Sequence, residues 1–178
     1  MSKLALFFFL VFIPFILFAQ NDKPPKGESL KLEWPESDHW KVGGDLEEGP
    51  QHITNFIHDG ETLDKWTELG NMTSLKGMLG ISVDTAMYVM FLSAVAKAPD
   101  AKLAVIKKGE TQDCPWIIFS IEAPEFKKDT IPESQLWFLI QGKQGLYTNF
   151  VATKQPKLPE DFKQKWTTFF EKGRLVYN

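Results

Sequence analysis

Apolar and polar positions along the chain alternate at two periods, and the two periods mark out its elements. The densest pattern is Pro132–Lys154. Two apolar runs, Leu136–Ile140 and Leu146–Ala152, flank the turn-rich Gly142-Lys143-Gln144-Gly145, which predicts a β-hairpin. In the first arm both parities are apolar: Leu136, Phe138 and Ile140 on one face, Trp137 and Leu139 on the other. A strand with two apolar faces needs cover on both sides. Trp116–Ala123 has the same character, with Ile117, Phe119 and Ile121 opposite Trp116 and Ile118.

Other short runs alternate with period two. Leu30–Trp34 reads as a strand stopped by Pro35, and Trp40–Asp45 as a second, weakened by Gly43-Gly44. Gln51–His58 is a third, between the turns Gly49-Pro50 and Asp59-Gly60. The stretch 60–69 supports two readings. Leu63, Trp66 and Leu69 could line a short helix. Alternatively, Asp59–Lys65 is a turn and Trp66–Leu75 a strand returning along Gln51–His58. The need of that strand for a partner favours the second. Ala101–Lys107 reads as a strand with Lys108-Gly109-Glu110 as its turn, and Arg174–Tyr177 as a final edge strand.

Helical spacing occurs twice. In Asp84–Ala98, Met87, Met90, Phe91, Ala94, Val95 and Ala98 recur at steps of three and four; Asp84 suits an N-cap and Pro99 stops the run. Tyr88, Val89 and Leu92 widen the apolar stripe and predict a deeply buried helix. The last helix starts at Pro159, carries Glu160 and Asp161 in its first turn, and ends at Lys172-Gly173. Phe162, Trp166, Phe169 and Phe170 form its apolar face. The expected class is therefore α+β: an antiparallel sheet with helices packed on it, α/β/α sandwich-like.

The N-terminus has its own grammar. Lys3 precedes an apolar run, Leu4–Ala19, and the chain turns polar at Gln20. This describes a secretory signal peptide over 1–19, with export to the periplasm or the extracellular space. An uncleaved anchor is the rival reading, but the run is shorter than the roughly 20 residues of a spanning helix and contains Pro14. A disordered leader over 20–29 and one globular domain over 30–178 would follow. Removing 1–19 leaves 19 basic and 23 acidic residues. That balance, with Arg174 as the sole arginine, argues against a nucleic-acid partner. Cys114 is the only cysteine, so the exported fold relies on its core rather than on disulfides.

Candidate chemistry is sparse. No phosphate loop, nucleophile elbow, dinucleotide fingerprint, zinc helix or calcium loop occurs, and no cofactor is implied. His52 and His58 would sit about 20 Å apart on an extended strand, too far to share an ion, and His39 could join them only through a tertiary contact. Asp59, Glu61, Asp64 and Glu68 cluster near one turn; a carboxylate pair held at roughly 5–9 Å could hydrolyse a glycosidic bond. The structural alternative is that Glu61 and Thr62 bond local backbone and fix the loop. Of the six tryptophans, Trp116, Trp137 and Trp166 are expected in the core, Trp34 and Trp40 partly exposed. Asn71-Met72-Thr73 matches a glycosylation acceptor.

Gly60-Glu61-Thr62 followed by Trp66-Thr67-Glu68 forms a G-E-T-x-x-x-W-T-E segment. It resembles a segment of uncharacterised secreted bacterial proteins, and the order of elements is similar to the Mog1/PsbP-like α/β/α sandwich. The resemblance implies a fold and no activity. The residues singled out for binding are Glu61, Thr62, Trp66, Glu68 and Trp40. The expected function is that of a non-catalytic binding module whose partner is a protein or a small apolar ligand of the cell envelope. Met78, Met87 and Met90 near the first helix would suit an apolar ligand. The alternative is a hydrolase using the acidic cluster around Glu61.

Overall fold

A computed structural model describes residues 27–127 and 131–177. The expected signal peptide and most of the leader lie outside the described residues. Strands β1 (Glu28–Lys31), β2 (Trp40–Glu48), β3 (Gln51–His58) and β4 (Glu68–Lys76) precede helix α1 (Val83–Lys97). Strands β5 (Lys102–Thr111), β6 (Cys114–Ala123), β7 (Glu133–Gln141) and β8 (Gly145–Thr153) follow, then α2 (Glu160–Phe170) and β9 (Arg174–Tyr177). Seven strands form one antiparallel sheet in the order β2-β3-β4-β8-β7-β6-β5. Two meanders, β2–β4 and β5–β8, thus meet where β4 pairs with β8. The remaining strands, β1 and β9, pair only with each other.

The side-chain parity of β7 divides the core. Leu136, Phe138 and Ile140 join Trp166, Phe162 and Phe170 of α2. Trp137 and Leu139 join Met87, Met90 and Ala94 of α1 on the opposite face. Each fully buried Leu or Ile of these strands contributes about 1.5–3 kcal/mol.

The expected α+β, α/β/α sandwich-like class is overturned. The described residues are 51% strand and 20% helix, with two helices against a seven-stranded sheet and a separate two-stranded one. Apolar residues on both faces are a property of the middle strands alone. β2 and β5, at the edges, are largely exposed. Strand content dominates and the two helices are too few to make layers of a sandwich, so the fold is mostly β.

Local differences have identifiable causes. α1 is capped by Ser82, whose hydroxyl accepts from the Thr85 amide at 3.1 Å, and not by Asp84, which pairs with Lys108. Pro159 is the N-cap of α2 rather than its first residue. Tyr88, Val89 and Leu92, expected in the core, are exposed at 55%, 37% and 49%: the sheet takes only one side of α1. Trp116 is half-buried, its indole N–H donating to Thr111. The β5–β6 turn is Gln112-Asp113, both at positive φ, and not Lys108-Gly109-Glu110.

The first strand runs Glu28–Lys31 instead of Leu30–Trp34, so Glu28 and Ser29 belong to the fold and not to the leader. Glu28 is buried and fastened to the β7–β8 turn. Its carboxylate accepts from the amides of Lys143 (2.9 Å) and Gln144 (3.0 Å) and from the hydroxyls of Tyr147 (3.2 Å) and Tyr177 (2.9 Å). A Cβ at Gly142 would stand 2.1 Å from Glu28 Oε1. Glycine there leaves the space that the carboxylate occupies.

Candidate functional site

The G-E-T-x-x-x-W-T-E segment connects β3 to β4, and its polar residues bond one another. Glu61 returns to the end of β3: its amide donates to the His58 carbonyl at 3.1 Å, and its Oε2 accepts from the His58 amide at 3.3 Å. Its other oxygen accepts from the Thr67 amide (3.0 Å) and hydroxyl (2.6 Å). Burial pushes the Glu61 carboxyl up, but the bonds from Thr67 and His58 outweigh it and hold the group below the usual carboxylate range. Thr62 and Lys65 exchange backbone bonds of 3.2 and 2.9 Å inside the loop. Leu63 lies over Gly43 and Gly44 of β2. Trp66 packs into the core beneath α1, with the Lys154 ammonium 4.6 Å from its ring centre.

His58, the last residue of β3, is the centre of the arrangement. Its Nδ1 lies 2.7 Å from the Asp38 carbonyl oxygen. A carbonyl only accepts, so Nδ1 carries the proton. Nε2 then faces Glu68 Oε2 at 3.6 Å. The Trp40 ring packs on the imidazole at a centroid distance of 4.1 Å. The Asp38 carboxylate binds Lys165 of α2 at 2.7 Å. Burial raises the Asp38 carboxyl, and Lys165 more than offsets that, leaving it below its ordinary range. Behind Trp40 stand Trp34, at 5.0 Å, and Trp166, at 5.7 Å. Trp34 stacks on Phe56 of β3 at 4.5 Å.

Three of the five sequence candidates, Trp40, Glu61 and Glu68, therefore meet around His58. Trp66 sits on the opposite face of the sheet, and Thr62 bonds within its own loop. Sequence reasoning weighed His58 only as one of three candidate metal ligands and passed over Asp38 and Lys165. The available signal was that His58 directly precedes the acidic turn. The side chain of Asn71 in the glycosylation acceptor is buried and donates to Asn55 at 3.0 Å.

The site holds one imidazole between a carbonyl and a carboxylate, beside an aromatic wall. Glu61, the carboxylate on which glycosidic acid/base work would depend, is held as an acceptor, the opposite of a proton-donating acid. Cys114 is buried; burial first, then the charge of Glu28, pushes its thiol up, the reverse of a nucleophilic cysteine. Among the described residues no three His, Cys, Asp or Glu side chains are grouped to hold a metal ion, and no helix is long and apolar enough to cross a membrane. No protein-family model matches the chain, and no curated protein matches it.

Proposed function

We propose that the chain is a non-catalytic binding module that works outside the cytoplasm, with a protein or a small apolar ligand of the cell envelope as its partner. We also propose that it belongs with the secreted bacterial proteins that carry the G-E-T-x-x-x-W-T-E segment. The apolar run Leu4–Ala19 supports export. The observation that carries the non-catalytic reading is the Glu61 carboxylate. Both of its oxygens are engaged by Thr67 and His58, so Glu61, the centre of the acidic cluster, behaves as a loop fastening. A second support is the outer surface of α1. Tyr88, Val89 and Leu92 are exposed there, and Val105 and Ile106 are exposed on β5. Apolar residues left in water on a small domain suit a partner better than a reaction.

The test is Glu61→Gln. The amide cannot accept on both sides as the carboxylate does. The variant should lose about 1–2 kcal/mol, between the usual worth of a neutral hydrogen bond and of one to a charged group, and melt roughly 2–8 °C lower. An unchanged melting temperature would remove the fastening role and restore the hydrolase reading.

A further inference from the structure

The described residues form a hollow of about 320 Å³ on the α2 side of the molecule, with neither His58 nor the exposed residues of α1 in its lining. Its lining is Lys31, Glu33, Phe169, Lys172 and Arg174. Lys31 and Arg174 are directly opposed in the β1–β9 register. Two like charges in that position destabilise a strand pair. Glu33 relieves the clash with a single oxygen, Oε1, 3.2 Å from both Lys31 Nζ and Arg174 Nη2. Lys172 has no ion-pair partner among the described residues; the adjacent Glu171 is engaged by Lys107 of β5. A helix C-terminus accounts for a cation at Lys172. It does not account for Lys31 and Arg174 facing each other, nor for the sole arginine standing here in a chain of net charge −3.

Three cations surround one carboxylate, so the hollow carries a surplus of two positive charges over the nearly buried ring of Phe169. A planar guanidinium and ammonium groups are the donors that recognise phosphoryl oxygens, and here one carboxylate is shared between Lys31 and Arg174 while Lys172 has none among the described residues. A volume of about 320 Å³ is at the small end of ligand sites. We propose that this hollow binds a phosphate monoester dianion, with Arg174, Lys172 and Lys31 on the phosphoryl group and the edge of Phe169 against the organic part. The monoester could be a free metabolite or the headgroup of a lipid such as phosphatidic acid; the phosphoryl chemistry is the same. This site is independent of the Glu61 argument, and neither result bears on the other.

Phenyl phosphate is the probe, followed by NMR titration of the full chain. Saturable shifts confined to the hollow are expected, with tighter binding than inorganic phosphate because of Phe169. Arg174→Gln should weaken binding about tenfold, and Lys172→Gln, at an exposed position after α2, about threefold or more. Glu33→Gln should tighten it, since the competing carboxylate is removed. Lys76→Gln, at the far end of β4, should leave it unchanged. Sedimentation with phosphatidylcholine vesicles, with and without phosphatidic acid, separates the two sources. Lipid-dependent binding that Arg174→Gln abolishes assigns a headgroup; phenyl phosphate binding without it assigns a free ester. The proposal is overturned if neither probe binds, if Lys76→Gln matters as much as Arg174→Gln and Lys172→Gln, or if Glu33→Gln weakens binding.

Discussion

Single residues in this chain do their work as hydrogen-bond acceptors, and two glutamates show it. Glu61 ties β3 to β4, and Glu28 ties β1 to the β7–β8 turn. The Glu61 carboxyl is held below its ordinary range, so its contribution is present above that range and is lost as pH falls through the folded value. Glu61→Gln should therefore flatten part of the acid limb of a stability–pH curve. Tyr177 gives the opposite sign. Burial first, then its bond to Glu28, raises its hydroxyl from 10 to about 12. That contribution is whole below pH 10 and fades as pH climbs toward about 12. Tyr177→Phe should remove this alkaline sensitivity, read by melting temperature across that interval. Gly142→Ala places a methyl group on Glu28 Oε1 and should cost about 1–3 kcal/mol. Amide exchange should then quicken at Leu30, within β1.

The legibility of the elements depended on where their apolar residues face. Gln51–His58 stands where its alternation and flanking turns put it, and the β7 parities separate the two halves of the core as read. The Lys108-Gly109-Glu110 turn failed because Gly109 serves packing rather than reversal. A Cβ there would stand 2.4 Å from the ring of its cross-strand partner Trp116. The true turn uses Gln112 and Asp113 at positive φ without any glycine, a weak signal in a sequence. The Glu28 fastening was hidden for another reason. Its partners lie more than a hundred residues away, and no local pattern reports them. α1 offers a direct test of the capping correction. Ser82→Ala should cost about 1 kcal/mol, the usual worth of a lost N-cap. Asp84→Ala, which removes a surface ion pair with Lys108 and one anion from the first turn, should cost less. Equal losses in chemical denaturation would return the cap to Asp84.

At the scale of the whole molecule, cover is concentrated on the centre of the sheet. α1 rests on β6 and β7, and α2 on β7, while β2 and β5 end the sheet with strands largely open to water. Both edges carry a register shift, at Val42/Gly44 and Val105/Lys107, and both carry charged side chains. Bulges and charges are the usual protection of an edge against pairing with another sheet. Stability should therefore fall from the middle outward. The same substitution can measure that gradient. Leu136 in β7 is fully buried, and Leu136→Ala removes a side chain enclosed on α2's side of the core, at a cost of about 2–5 kcal/mol. Leu46 in β2 is 47% exposed, and Leu46→Ala should change stability by less than about 0.5 kcal/mol. Urea denaturation of the two variants decides the matter. Comparable losses would mean that β2 is covered by something beyond the described residues, and that the open edge is not a free surface of the working protein.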